Sequence, residues 1–191
     1  MTWRLGLGIA LVFVLAAGCA TTPTAAGSAA LRQGRPAEAV EEFEKALAED
    51  PGRVDALIGL GVSQYRLGKY DDAIKSLTDA VTRAPDQPAA RLYLALSDVR
   101  KRDDAKAQEQ LAALHALPLE PRFVALIDET RNLLSAGGVS DLVRTYIVAS
   151  LDYAAEWSRE LAETRLALRS SQLAWDPFWG RPGYIIRCRN C

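Results

Sequence analysis

Three cysteines and one histidine are the residues of this chain best suited to covalent or metal chemistry. Cys188 and Cys191 form a Cys-Arg-Asn-Cys sequence, which has the spacing of a thiol redox motif. The surrounding sequence lacks the alternating strands and helices in which such motifs operate. A zinc site would need two more ligands, and His115 is the only histidine. We therefore expect no metal and no cofactor.

Sequence motifs of catalysis are missing as well. The nucleophile elbow, the phosphate loop and the His-Glu-x-x-His pattern do not occur. Acidic residues alternate with basic ones, as in EEFEK and KYDDAIK, which is typical of solvated helix faces. His115 has no carboxylate or cysteine at helical spacing, so we interpret it as a helix-end histidine interacting with the helix dipole. We expect no catalytic residues, and a protein that is not an enzyme.

The first residues have the character of an export signal. Arg4 precedes an uncharged run over residues 5–18. This run is too short for a membrane-spanning helix but suits the core of a signal peptide. It leads into Leu-Ala-Ala-Gly-Cys at residues 15–19, which resembles a bacterial lipobox, where small residues precede a cysteine that becomes lipidated. An ordinary secretory peptide that contains a cysteine is the alternative.

The lipobox resemblance implies a signal peptide over 1–18, a covalent lipid on Cys19 and a tether over 19–27. More than one acyl chain makes a stable membrane anchor. Lipoproteins that stay in the inner membrane often carry an aspartate directly after the lipidated cysteine, and this chain has Ala20 there. The similarity to lipoproteins without that aspartate implies the outer membrane, facing the periplasm.

Export also leads to an expectation about the two C-terminal cysteines. In an oxidising periplasm a disulfide between Cys188 and Cys191 is favoured over free thiols. A disulfide between two copies of the chain stays open as an alternative.

A period of 34 residues organises the middle of the chain. Small residues recur at Ala39, Ala73 and Ala107, and residues 54–87 carry the pattern most completely. The matching positions there are Leu57, Leu60, Gly61, Gly68, Tyr70, Ala73, Leu77, Ala80 and Pro85. The pattern resembles the tetratricopeptide repeat.

The resemblance implies an all-α fold, a solenoid of antiparallel helix pairs. The apolar residues of DALIGLGVSQYRLG and KYDDAIKSLTDAVTRAP lie at helical spacing, and a glycine between them permits the turn. We expect about three repeats over 28–121, with the best copy at 54–87 and one of the three degenerate. A helical cap over 122–174 and an irregular aromatic-rich tail over 175–191 should follow.

The cap should contain two helices, separated at Gly137 and Gly138. The second has an apolar stripe at spacings of three and four: Leu142, Tyr146, Ala149, Tyr153, Trp157 and Leu161. We expect the stripe to pack on the last repeat, and a partner helix or a second copy is the alternative. The tail sequence WDPFWGRPGY should fold back onto the helices or dock on a partner.

The resemblance also implies a binding groove lined by the first helix of each pair. Arg32, Arg66 and Arg100 recur at the 34-residue period. An arginine ladder beside apolar side chains suits a peptide with carboxylates, although pairing with repeat acids such as Asp71 or Asp104 is equally compatible. The expected groove residues are Arg32, Ile58, Val62, Tyr65, Arg66, Leu92, Leu96 and Arg100.

These features predict a lipid-anchored scaffold that binds a protein or peptide in a cell-envelope assembly, by analogy a pilus, secretion or cell-wall machine. The alternatives are a structural protein that oligomerises through its long C-terminal helix and terminal cysteines, and an accessory subunit of a transporter or envelope enzyme. The net charge of −1 argues against nucleic acid as the partner.

Overall fold

The computed structural model describes residues 22–174. The expected signal peptide, Cys19 and the whole tail over 175–191, with Cys188 and Cys191, lie outside this range. The helices in the described range are α1 (Pro23–Arg32), α2 (Pro36–Glu49), α3 (Val54–Arg66), α4 (Tyr70–Arg83), α5 (Pro88–Lys101), α6 (Asp104–His115), α7 (Pro121–Ser135) and α8 (Asp141–Ala174).

The first six helices form three consecutive antiparallel pairs, α1/α2, α3/α4 and α5/α6, and each pair packs on the next. α7 continues the stack on α6, and α8 turns back to contact both α7 and α5. This arrangement confirms the predicted all-α fold of antiparallel helix pairs. The first pair begins at Pro23, earlier than the sequence pattern indicates.

Local sequence sets where the helices begin and end. Proline occupies the first turn of α1, α2, α5 and α7, where its missing N–H is not needed. Gly34 (φ 70°) and Gly68 (φ 75°) adopt the left-handed conformation between the helices of the first two pairs. Arg102 (φ 62°) adopts the same conformation in the third pair, at a cost of about 1 kcal/mol relative to glycine.

Small residues at the repeat period let the helices approach closely. Ala39, Ala73 and Ala107 are completely buried, each at 0% exposure. A Cβ added to Gly59 would lie 2.2 Å from the Phe43 ring, and one added to Gly61 would lie 2.5 Å from the Leu77 side chain. The 34-residue pattern of small residues is therefore a pattern of helix contacts.

The prediction that the apolar stripe of α8 packs on the last repeat is wrong. Leu142 is 80% exposed and Tyr153 is 70% exposed, whereas Ile147, Val148 and Leu151 are buried. α8 carries apolar residues on two faces, and the face with smaller aliphatic side chains is the one that contacts α5 and α7.

Candidate peptide-binding groove

The surface formed by α3 and α5 is the candidate site, and α8 packs on its α5 side and reaches α3 through a side-chain ion pair. Three aromatic rings form its centre. The Tyr65 ring meets the Tyr93 ring edge-on, with centroids 5.4 Å apart, and lies 5.8 Å from the Tyr70 ring. Tyr65 and Tyr93 are buried, at 7% and 2% exposure. Two neighbouring repeats are thereby joined by ring contacts along this surface.

Tyr93 connects this aromatic cluster to α8. Its hydroxyl donates a hydrogen bond of 2.6 Å to Oδ1 of Asp152. Hydrogen bonds with a charged acceptor in a partly buried position contribute about 1.5–3 kcal/mol. Asp152 is therefore a specific contact between the helix and the surface.

Arg66 provides a second connection, one turn further along α8. Its Nη2 donates to Oε1 of Glu156 at 2.8 Å, and its Nη1 donates to the carbonyl oxygen of Leu31 at 3.3 Å. Burial acts to lower the pKa of Arg66, but Tyr93, Glu156 and Asp152 more than offset this, so the pKa is raised. The guanidinium therefore bridges α1, α3 and α8 as a stable cation.

Arg144 anchors the start of α8 at the far end of α5. Its guanidinium donates to both carboxylate oxygens of Asp104, at 2.7 Å from Nη2 to Oδ2, and to the carbonyl oxygen of Val99 at 3.4 Å. The Arg144 side chain is only 10% exposed. Next to it the exposed pair Arg102–Asp141 joins the same two regions at 2.7 Å. α8 is thus attached along the length of α5 by ion pairs at one end and by Asp152 and Glu156 further along.

Burial also affects the acid–base behaviour of the site. Desolvation, followed by the charge of Asp152, raises the pKa of Tyr65 to about 12, and Arg100 partly offsets this rise. Tyr65 is therefore a neutral hydroxyl throughout the physiological range. The site can donate hydrogen bonds and bind carboxylates.

The expected groove residues differ in how far they are buried. Val62, Tyr65, Leu92 and Leu96 are buried, and Ile58 is half-buried. These residues form the packed base of the surface rather than open positions. Of the expected groove residues, Arg32 and Arg100 are exposed and Arg66 is half-buried.

The three periodic arginines have different surroundings. Arg66 binds α8, Arg100 interacts with Tyr65, and Arg32 is exposed. The alternative pairing with repeat acids is not the one adopted, because Asp71 pairs with Lys101 and Asp104 with Arg144. The sequence reasoning did not identify Tyr93, Asp152 or Glu156. The only signal for them was the pair of acids four residues apart on the later helix.

His115 has a partner that its sequence spacing did not reveal. Its Nδ1 lies 2.9 Å from Oδ1 of Asp128, which α7 contributes. Among residues 22–174, no group of three or more histidine, cysteine, aspartate or glutamate side chains is arranged to hold a metal. Within the same range, no helix combines the length and apolar character needed to cross a bilayer.

A comparison with models of protein families identifies the family of this chain. The tetratricopeptide-repeat model matches residues 24–88 and 63–121, which together cover just over half of the chain. The chain belongs to the tetratricopeptide-repeat family. Proteins with such folds typically act as scaffolds rather than enzymes. None of the curated proteins matches the sequence significantly.

Solved structures of the same fold include the type III secretion translocator chaperone SycD of Yersinia enterocolitica. One SycD structure has a TM-score of 0.53 at 22% identity, covering 60% of this chain and 79% of that one. SycD in complex with a peptide of the translocator YopD has a TM-score of 0.55 at 19% identity, covering 60% and 90%. An alternative SycD dimer has a TM-score of 0.54 at 19% identity, covering 60% and 89%. At these identities the likeness concerns the fold.

Proposed function

We propose that this tetratricopeptide-repeat protein is a lipid-anchored scaffold of the bacterial cell envelope. Its groove would receive a helical segment of a protein partner in an envelope assembly such as a pilus, secretion or cell-wall machine. The observation that carries this proposal is the binding of α8 to α3 and α5 through Asp152 and Glu156. The surface therefore fits an amphipathic helix with two acids four residues apart.

The partner class also has support from the fold comparison. SycD, which shares the fold, was crystallised with a peptide of its translocator. In this chain Tyr93 and Arg66 supply a hydroxyl and a guanidinium to the two carboxylates of α8. A partner helix with the same acid spacing would compete with α8 for these groups.

Peptide binding tests the groove. The probe is a fluorescent peptide of residues 141–158, added to the full chain in detergent. The variant Asp152→Ala/Glu156→Ala weakens the hold of α8, so we expect it to bind the peptide about tenfold more tightly than the native chain. Adding Arg66→Gln should then weaken binding about fivefold, because the Glu156 carboxylate of the peptide loses the Arg66 guanidinium as a donor.

Arg32→Gln is the matched control for Arg66→Gln, because Arg32 occupies the equivalent repeat position and is exposed. It should leave the affinity unchanged. The groove proposal fails if the loosened variant does not bind the peptide, or if the two glutamine variants weaken binding equally.

Metabolic labelling tests the anchor separately. In cells supplied with an alkyne fatty acid, the native chain should incorporate the label and remain with the membranes after a carbonate wash. Cys19→Ser should lose both properties, whereas Cys188→Ser should keep them. Retention of the label by Cys19→Ser would contradict lipidation at Cys19 and would leave the groove measurement unaffected.

A further inference from the structure

The outer face of α8 exposes a continuous apolar stripe. Leu142, Tyr146, Tyr153 and Trp157 are 80%, 57%, 70% and 51% exposed, and the exposed Ala149 lies between the two tyrosines. The opposite face of the helix is the one that packs on α5 and α7. Soluble proteins rarely leave a patch of this size and aromatic content in water unless it binds something.

The stripe can pair with the stripe of a second α8 that runs in the opposite direction. Its members are spaced by four, three, four and four residues. If a second α8 runs antiparallel, with the crossing point between residues 149 and 150, Tyr146 lies opposite Tyr153 and Leu142 lies opposite Trp157. Ala149 then lies at the crossing point beside its own copy, where a small side chain lets two helices approach closely.

Charge also favours this antiparallel register. Glu156 falls opposite Val143, and no acid of α8 falls opposite another acid. A parallel pair would place Glu156 and Glu160 beside their own copies, and like charges at such contacts are unfavourable.

The exposed area is sufficient for a specific contact. Aromatic side chains present about 150–250 Å² each, so the exposed fractions of the four large residues amount to about 500 Å² per copy. Two copies together would bury about 1,000 Å², which reaches the lower limit of specific protein interfaces.

We propose that the protein forms a homodimer through antiparallel pairing of the outer faces of two α8 helices. The inner face of α8 stays on α5 and α7, so dimer formation does not require α8 to leave the groove. The proposal is independent of the lipid anchor and of the groove ligand.

Cysteine cross-linking at the crossing point tests the register. In a chain with Cys188→Ser and Cys191→Ser, Ala149→Cys should give a disulfide-linked dimer on a non-reducing gel after mild oxidation. Thr145→Cys is the matched control, one turn away and also exposed. In the proposed register two copies of residue 145 are offset by about 13 Å along the axis, beyond the reach of a disulfide.

Sedimentation of the full chain in detergent tests the dimer itself. The native protein should have twice the monomer mass at micromolar concentration. Tyr146→Glu/Tyr153→Glu should be monomeric with an unchanged circular dichroism spectrum, because both side chains are exposed. A monomeric native protein would overturn the proposal, even if another partner covers the stripe. Equal cross-linking by the two cysteine variants would overturn it as well.

Discussion

Replacing Asp104 with alanine should lower the free energy of unfolding by about 3 kcal/mol and release the start of α8. The substitution removes both carboxylate oxygens that accept from Arg144 and leaves the nearly buried guanidinium with the Val99 carbonyl oxygen. Breaking one side of a buried ion pair costs about 3–5 kcal/mol. Asp104 is 27% exposed, so the lower end of this range applies.

Urea denaturation would measure the stability change, and limited proteolysis within residues 141–157 would report the release of α8. Asp141→Ala is the matched control, because it removes the adjacent exposed pair with Arg102 and should cost at most about 1 kcal/mol. The double variant Asp104→Ala/Arg144→Met should recover much of the loss, since no charge stays buried. Equal effects of Asp104→Ala and Asp141→Ala would show that the buried pair does not anchor α8.

Replacing Gly59 with alanine should also destabilise the protein strongly, by about 2–3 kcal/mol. Alanine is a better helix former than glycine by about 1 kcal/mol, so an exposed helix position would be stabilised. Here the new Cβ would lie 2.2 Å from the Phe43 ring. The ring cannot simply move away, because Gly27 lies close on another side of it. A Cβ added to Gly27 would be only 3.0 Å from the same ring.

Thermal or urea unfolding would measure the loss, and a double-mutant cycle would assign it. In a Phe43→Leu background the smaller side chain makes room, so Gly59→Ala should cost much less than in the native chain. Gly27→Ala should cost less than Gly59→Ala because its contact is longer. Native-like stability of Gly59→Ala would contradict the close packing of α2 and α3.

The Asp104–Arg144 pair and the Gly59–Phe43 contact affect the candidate groove as well as the stability of the protein. The Phe43 contact joins the first two repeats, and the Arg144 anchor holds α8 on the last one. Under the proposed function, a chain in which α8 is loosened would offer its groove to other helices, while its stripe would still be available to a second copy. The inner face of α8 therefore concerns the proposed groove, and its outer face concerns the proposed dimer.

Several features could be predicted from the sequence because they depend on local spacing. The 34-residue period identified the helix pairs, since small residues recur wherever two helices touch, as at Ala39, Ala73 and Ala107. Glycines with positive φ marked the turns, as at Gly68. Gly137 and Gly138 separated the last two helices as predicted, and the Ser140 hydroxyl accepts from the Val143 N–H at the start of α8.

Other features were decided only by the tertiary structure. α8 has two apolar faces, and its sequence spacing cannot tell which one meets α5, because that depends on the shape of the surface it reaches. Ile147 and Leu151 are buried in the core against that surface, and Tyr153 and Trp157 remain exposed. The partners Tyr93–Asp152, Arg66–Glu156 and His115–Asp128 lie 59, 90 and 13 residues apart. Such contacts follow from where the helices lie in space, whereas the 34-residue period determines only how each helix meets its neighbours in the chain.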